Sequence, residues 1–120
     1  MTTVLVIDDS PSEMAKFRDM LARHNFKVLE AMNGEQGCQM AADHLPDVIL
    51  MDIVMPEMNG FQATRKITRG KTTAHIPVIM ISTKNQETDK VWGKRQGAKE
   101  YMTKPINESE LVNIIQKVMG

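Results

Sequence analysis

Three runs of this chain are apolar at every position: "VLVI" at 4–7, "VILM" at 48–51 and "VIMI" at 78–81. A strand with one wet face alternates apolar and polar residues. Uninterrupted runs therefore predict strands buried on both faces, the condition of a parallel sheet covered by helices on each side. A weaker run, "KVLEA" at 27–31, and a short one at about Glu100 to Met102 supply two further strands. The segments between them carry helical spacing. Met14, Phe17 and Leu21 fall at i, i+3 and i+7, and Leu111, Ile114, Ile115 and Val118 form a second apolar stripe. Asn33-Gly34 and Asn59-Gly60 open the second and third helices, while a fourth covers about residues 86–96 and stops at Gly97, a glycine placed just past a helix end. Strand followed by helix thus recurs five times. Such alternation gives right-handed βαβ crossovers and predicts an α/β, doubly wound (βα)5 architecture, with five parallel strands and helices on both faces. A chain of 120 residues holds one such unit, so a single domain over 1–120 is expected.

Sheets of this kind bind ligands beyond the carboxyl ends of their strands. Asp8 and Asp9 follow the first strand, Asp52 the third, Ser82 the fourth and Lys104-Pro105 the fifth. Each alone is an ordinary turn or loop residue, but their gathering at one sheet edge points to chemistry. In "LVIDDSPS", Ser10, Pro11 and Glu13 read as N-cap, first helical position and third position of a capping box, which leaves both aspartates outside the helix. Adjacent acids at the end of a buried strand need a cation, a proton or solvent. Lys104 offers a mobile positive charge for a phosphoryl oxygen, and Ser82 a hydroxyl donor. An aspartate in such surroundings can itself be a nucleophile, and Asp52 is the candidate.

The segments "VLVIDDS", "VILMDIVMPEMNG", "PVIMIST" and "YMTKP" resemble, in order and across essentially the whole chain, the response-regulator receiver domain of two-component signalling. The resemblance implies a flavodoxin-like sheet of order 2-1-3-4-5, in which strands one and three are neighbours and Asp8, Asp9 and Asp52 converge. Three converging carboxylates suit a hard divalent cation, and Mg²⁺ is the natural one. By the same resemblance Asp52 is the phosphoacceptor, served by the phosphohistidine of a histidine kinase. Asp9, Asp52 and the backbone carbonyl of Val54 bind Mg²⁺, with Asp8 acting mainly through water. Lys104 contacts the phosphoryl group, Ser82 moves to hydrogen-bond it, and Tyr101 follows inward as the switch aromatic. Pro105 matches the proline after a cis peptide bond. Some members carry a polar residue where Val54 stands, a departure that bears on dephosphorylation rate. The stretch "KNQETDKVWGKRQGAKEYMTKP" at 84–105 resembles regulators of type IV pilus twitching motility. A stand-alone phosphorylation-controlled binding switch or phosphate sink is expected, not a turnover enzyme and with no output domain. A flagellar chemotaxis-like regulator and a phosphorylation-independent scaffold are the alternatives.

Lys plus Arg and Asp plus Glu both number 15, which removes any overall basic bias toward nucleic acid or an anionic membrane. The start "MTTVLVIDD" has no signal-peptide character, and the single cysteine, Cys38, cannot form an internal disulfide. A cytoplasmic monomer is expected, without membrane insertion. It would meet a downstream protein through the fourth helix, fifth strand and fifth helix. Trp92 lies in that fourth helix, either on the partner face or packed in the core. "RGKTT" at 69–73 lacks the earlier glycine of a phosphate-binding loop, because position 65 is Arg65. Arg65, Lys66, Arg69 and Lys71 read as a solvated helix end. A phosphatase of the haloacid dehalogenase type would need a D-x-D pattern after the first strand, where Asp8 and Asp9 are adjacent.

Overall fold

The computed structural model describes residues 1–120. Strands and helices alternate as β1 (Thr3–Ile7), α1 (Pro11–Ala22), β2 (Lys27–Ala31), α2 (Gly34–His44), β3 (Val48–Met51), α3 (Gly60–Thr68), β4 (Val78–Ser82), α4 (Glu87–Arg95), β5 (Glu100–Thr103) and α5 (Glu108–Met119). All strand pairs are parallel, in the order β2-β1-β3-β4-β5. The expected doubly wound fold is the observed one. The three fully apolar runs occupy the three central positions and are buried throughout, while the weaker runs form the edges.

Alternate residues of each central strand feed opposite cores. Leu5, Ile7, Ile49, Met51, Val78 and Met80 pack with residues of α2 and α3 on one face. Val4, Val6, Val48, Leu50, Ile79 and Ile81 pack with Met14, Phe17 and Leu21 of α1 and Leu111 and Ile115 of α5 on the other. Each such side chain removed from water contributes about 1.5–3 kcal/mol. The amphipathic spacing of α1 and α5 therefore finds its apolar partner directly. By contrast, α4 buries only Gly93 and contributes no side chain to the core beneath it. Its bounds fall one residue inside the expected 86–96 at each end, and Gly97 follows with φ +103, a conformation that favours glycine.

Caps set where the functional loops begin. Asn33 and Asn59 accept backbone N–H groups at the starts of α2 and α3, and Asn59 forms a reciprocal capping box with Gln62. Ser10 accepts from the Glu13 N–H at 3.3 Å, as the capping motif predicts. The other half of that box is not made. The Ser10 N–H donates to Asp8 Oδ1 at 2.9 Å, so the Glu13 side chain is displaced from its expected cap.

Gly60 makes the closest backbone approach next to the strand ends. A Cβ there would lie 2.1 Å from the Asp52 carbonyl oxygen and 2.7 Å from Ile53 Cα. Main chain cannot yield as a flexible side chain can. Gly60→Ala should therefore cost about 1–3 kcal/mol through overpacking. Urea denaturation checks this, and an unchanged midpoint would contradict the close approach.

Candidate functional site

Backbone register builds the site. Ile7 of β1 pairs with Met51 of β3, so the next residues, Asp8 and Asp52, leave the sheet side by side. Hydrogen bonds continue the ladder past the strand ends: the Asp52 N–H donates to the Ile7 carbonyl at 2.9 Å and the Asp8 N–H to the Ala31 carbonyl at 3.1 Å. Two strand pairs further on, Ser82 pairs with Thr103, and the Lys104 N–H donates to the Ser82 carbonyl at 2.9 Å. The Lys104–Pro105 peptide bond is cis.

These placements bring Asp8, Asp9 and Asp52 together, with one carboxylate oxygen from each within 4.8 Å of the others. Asp8 and Asp52 are buried, while Asp9 is exposed. The donor set is all oxygen, and one side is open to water. Both properties fit a small hard cation that retains part of its hydration shell. Lys104 Nζ stands among the acids, donating to Asp8 Oδ2 at 3.0 Å and lying 3.5 Å from Asp52 Oδ1 and 3.4 Å from Glu13 Oε1. Val54 is 58% exposed beside this cluster.

Electrostatics in the cleft follow from burial and crowding. Burial, then the neighbouring Asp8 charge, push the Asp52 carboxyl up from 3.8 to about 6 against the opposing pull of Lys104. Burial alone would depress Lys104. The hydrogen bond to Asp8 and the charges of Asp52, Asp8 and Glu13 instead hold its ammonium above the ordinary value. Burial likewise raises Glu13, but Lys16 and Lys104 outweigh it and hold this carboxyl below the usual range.

Ser82 is fully buried, and its hydroxyl accepts the Lys84 N–H at 3.3 Å. The Lys84 carbonyl in turn accepts the Tyr101 hydroxyl at 2.6 Å. Burial, with the charges of Asp89 and Asp52, pushes the Tyr101 phenol up to about 12, so it remains a donor. The short loop after β4 thus joins Ser82 to Tyr101 through one residue. Trp92 is 47% exposed and Val91 lies exposed beside it, which removes core packing as the explanation of the tryptophan. Cys38 is half-buried, with its thiol 3.7 Å from the Ala63 carbonyl and pushed up by desolvation. Arg65 and Lys66 lie in the last turn of α3, as the helix-end reading expects. Glu13 is the site residue that the sequence hides, since its position is fully explained by capping.

Residues 4–116 match the family model described as the response regulator receiver domain. The chain belongs to the response regulator receiver domain family, and a phosphorylation-driven switch fits that class. Among individual proteins, it is similar to Protein PilH of Pseudomonas aeruginosa, with 55% identity over 120 residues, 100% of this chain and 99% of that one. Chemotaxis protein CheY4 of Vibrio cholerae superposes with a TM-score of 0.92 at 30% identity, over 98% of each chain. A sensor histidine kinase receiver domain from Pseudomonas aeruginosa, described with a magnesium ion coordinated in its active site cleft, superposes with a TM-score of 0.92 at 27% identity. That match covers 99% of this chain and 98% of the other. No helix of the chain is long and apolar enough to cross a membrane.

The raised Asp52 value has a definite sign for stability. The native state keeps a proton that the unfolded chain releases above 3.8, so native stability from this group falls as pH rises toward about 6 and stays lower beyond it. In metal-free buffer, Asp52→Asn should remove this cost and gain up to about 3 kcal/mol above pH 6, with no gain below pH 4. Urea titrations of both proteins across that range check it. A gain independent of pH would exclude carboxylate burial as the cause.

Proposed function

We propose that this chain is a response regulator phosphorylated on Asp52 by a histidine kinase in a Mg²⁺-dependent reaction, and that it relays the event by protein contact. The convergence of Asp8, Asp9 and Asp52 opposite Lys104 carries this reading. An Asp52 carboxylate oxygen attacks phosphorus of the donor phosphohistidine. The new O–P bond forms as the N–P bond breaks, and the imidazole nitrogen leaves with its electron pair. Asp9, Asp52 and the Val54 carbonyl would hold Mg²⁺, with Asp8 acting through water. When bound, the ion would screen the carboxylates and offset negative charge on the phosphoryl group.

The other groups then have separate tasks. Lys104 faces the charge that gathers on the phosphoryl oxygens, and Ser82 donates its hydroxyl once it turns toward them. Such a turn gives up the Lys84 N–H, in a loop whose carbonyl already holds Tyr101. Tyr101 is thereby the switch aromatic that reports the state of Ser82 at the surface. The partner face is formed by α4, β5 and α5, where Trp92 and Val91 are exposed. A phosphoryl group needs only to favour one of two existing states by its differential affinity for them.

The protein promotes only its own phosphorylation and dephosphorylation. Its place is type IV pilus twitching motility in the cytoplasm, as an output or a phosphate sink. The resemblance of 84–105 and the full-length similarity to PilH support that setting.

Incubation with a small acyl phosphate donor should add one phosphoryl group, with the reaction lost on chelation of Mg²⁺ and in Asp52→Asn. Intact-protein mass spectrometry reads the product, and equal labelling of the variant would reassign the acceptor. A stable phosphoryl mimic should also shift amide resonances at Tyr101 and Trp92. Changes confined to the acid cluster would argue against a switch reaching that face.

A further inference from the structure

Glu13 has no task in the chemistry above, yet it sits in the cleft. In a reciprocal capping box its carboxylate would take the Ser10 N–H. Asp8 takes that N–H instead, at 2.9 Å. Glu13 is released, and its two oxygens bridge two cations, with Oε1 3.4 Å from Lys104 Nζ and Oε2 3.3 Å from Lys16 Nζ. The Lys104 side chain is only 10% exposed and already has Asp8 at 3.0 Å and Asp52 at 3.5 Å. Glu13 is therefore not needed to keep Lys104 in the cleft. It takes a share of an ammonium that two other acids hold, while solvent-exposed Lys16 draws its other oxygen outward.

We propose that Glu13 is a positioning residue that competes with the reacting centre for Lys104 and surrenders the ammonium when Asp52 carries a phosphoryl group. The inference rests on Asp52 being the phosphoacceptor. Its two physical consequences have opposite signs. An anion on Asp52 must draw Lys104 away from Glu13 and enter a cleft that already holds the Glu13 charge, so Glu13 weakens its binding. A cation among the acids gains from Glu13, which adds negative charge and draws the ammonium off Asp8 and Asp52. A residue with a merely structural role would move both affinities in one direction.

The test measures binding of Mg²⁺ alone, and of beryllofluoride at saturating Mg²⁺, to the full chain by calorimetry. Glu13→Gln should bind beryllofluoride about three- to fivefold more tightly and Mg²⁺ alone more weakly by a similar factor, the scale of a partly exposed ion pair. Lys16→Ala leaves Glu13 to Lys104 alone and should weaken beryllofluoride binding. In Glu13→Gln, parallel movement of both affinities, or changes within about twofold, overturns the proposal. Wild type that binds Mg²⁺ but not beryllofluoride overturns the phosphoacceptor assignment itself, and this inference with it, so the two failures are distinct.

Discussion

Two carboxylates that neither sequence neighbours nor solvent can separate dominate this molecule. Once Ile7 pairs with Met51, Asp8 and Asp52 must leave the sheet together, and both are buried. Like charges in a confined site raise each other's energy, and desolvation adds to the cost. Lys104 is the only cation placed to offset it within the cleft, and one ammonium is divided among Asp8, Glu13 and Asp52. The acid cluster is consequently undercharged with cation. That imbalance is a physical reason for it to take a hard divalent ion and, in the proposed function, to exchange partners when a phosphoryl group arrives.

The rest of the fold serves this constraint unequally. Central strands buried on both faces make the sheet a stiff frame, because their side chains interdigitate with helices on each side. Gly60 clamps the start of α3 onto the backbone of Asp52 and Ile53, so the proposed phosphoacceptor is held from behind by main chain. On the opposite side of the cleft the construction is looser. The loop after β4 is tied to Tyr101 by a single hydroxyl, and α4 lies over the core with only a glycine buried. Main-chain support behind the acids thus contrasts with sparse side-chain packing beyond Ser82. An exposed ion cluster, in which Arg23 and His24 hold the Glu108 carboxyl down to about 2, joins the end of α1 to the start of α5.

Much of this was legible in the chain because it depends on local pattern. The all-apolar runs marked the inner strands, helical spacing marked α1 and α5, and Asn-Gly steps marked two helix starts. Acids, a serine and a lysine after successive strands marked the site edge. Glu13 was illegible because capping explained it completely; the bond that displaces it, from the Ser10 N–H to Asp8, is a local turn that competes with the cap for the same donor. Trp92 had two readings because α4 carries too little apolar pattern to say which side faces inward.

By itself, then, the sequence determined which strands are buried on both faces, the alternation of strand and helix, and which polar side chains end up at the carboxyl edge. Those properties follow from hydrophobic period and chain chirality, which act over a few residues. Tertiary structure alone decided the register that sets Asp8 against Asp52, the division of one ammonium among three acids, and the exposure of Trp92. Each depends on distances between segments far apart in the chain, and a hydrogen bond or ion pair goes to whichever partner the packed backbone brings nearest.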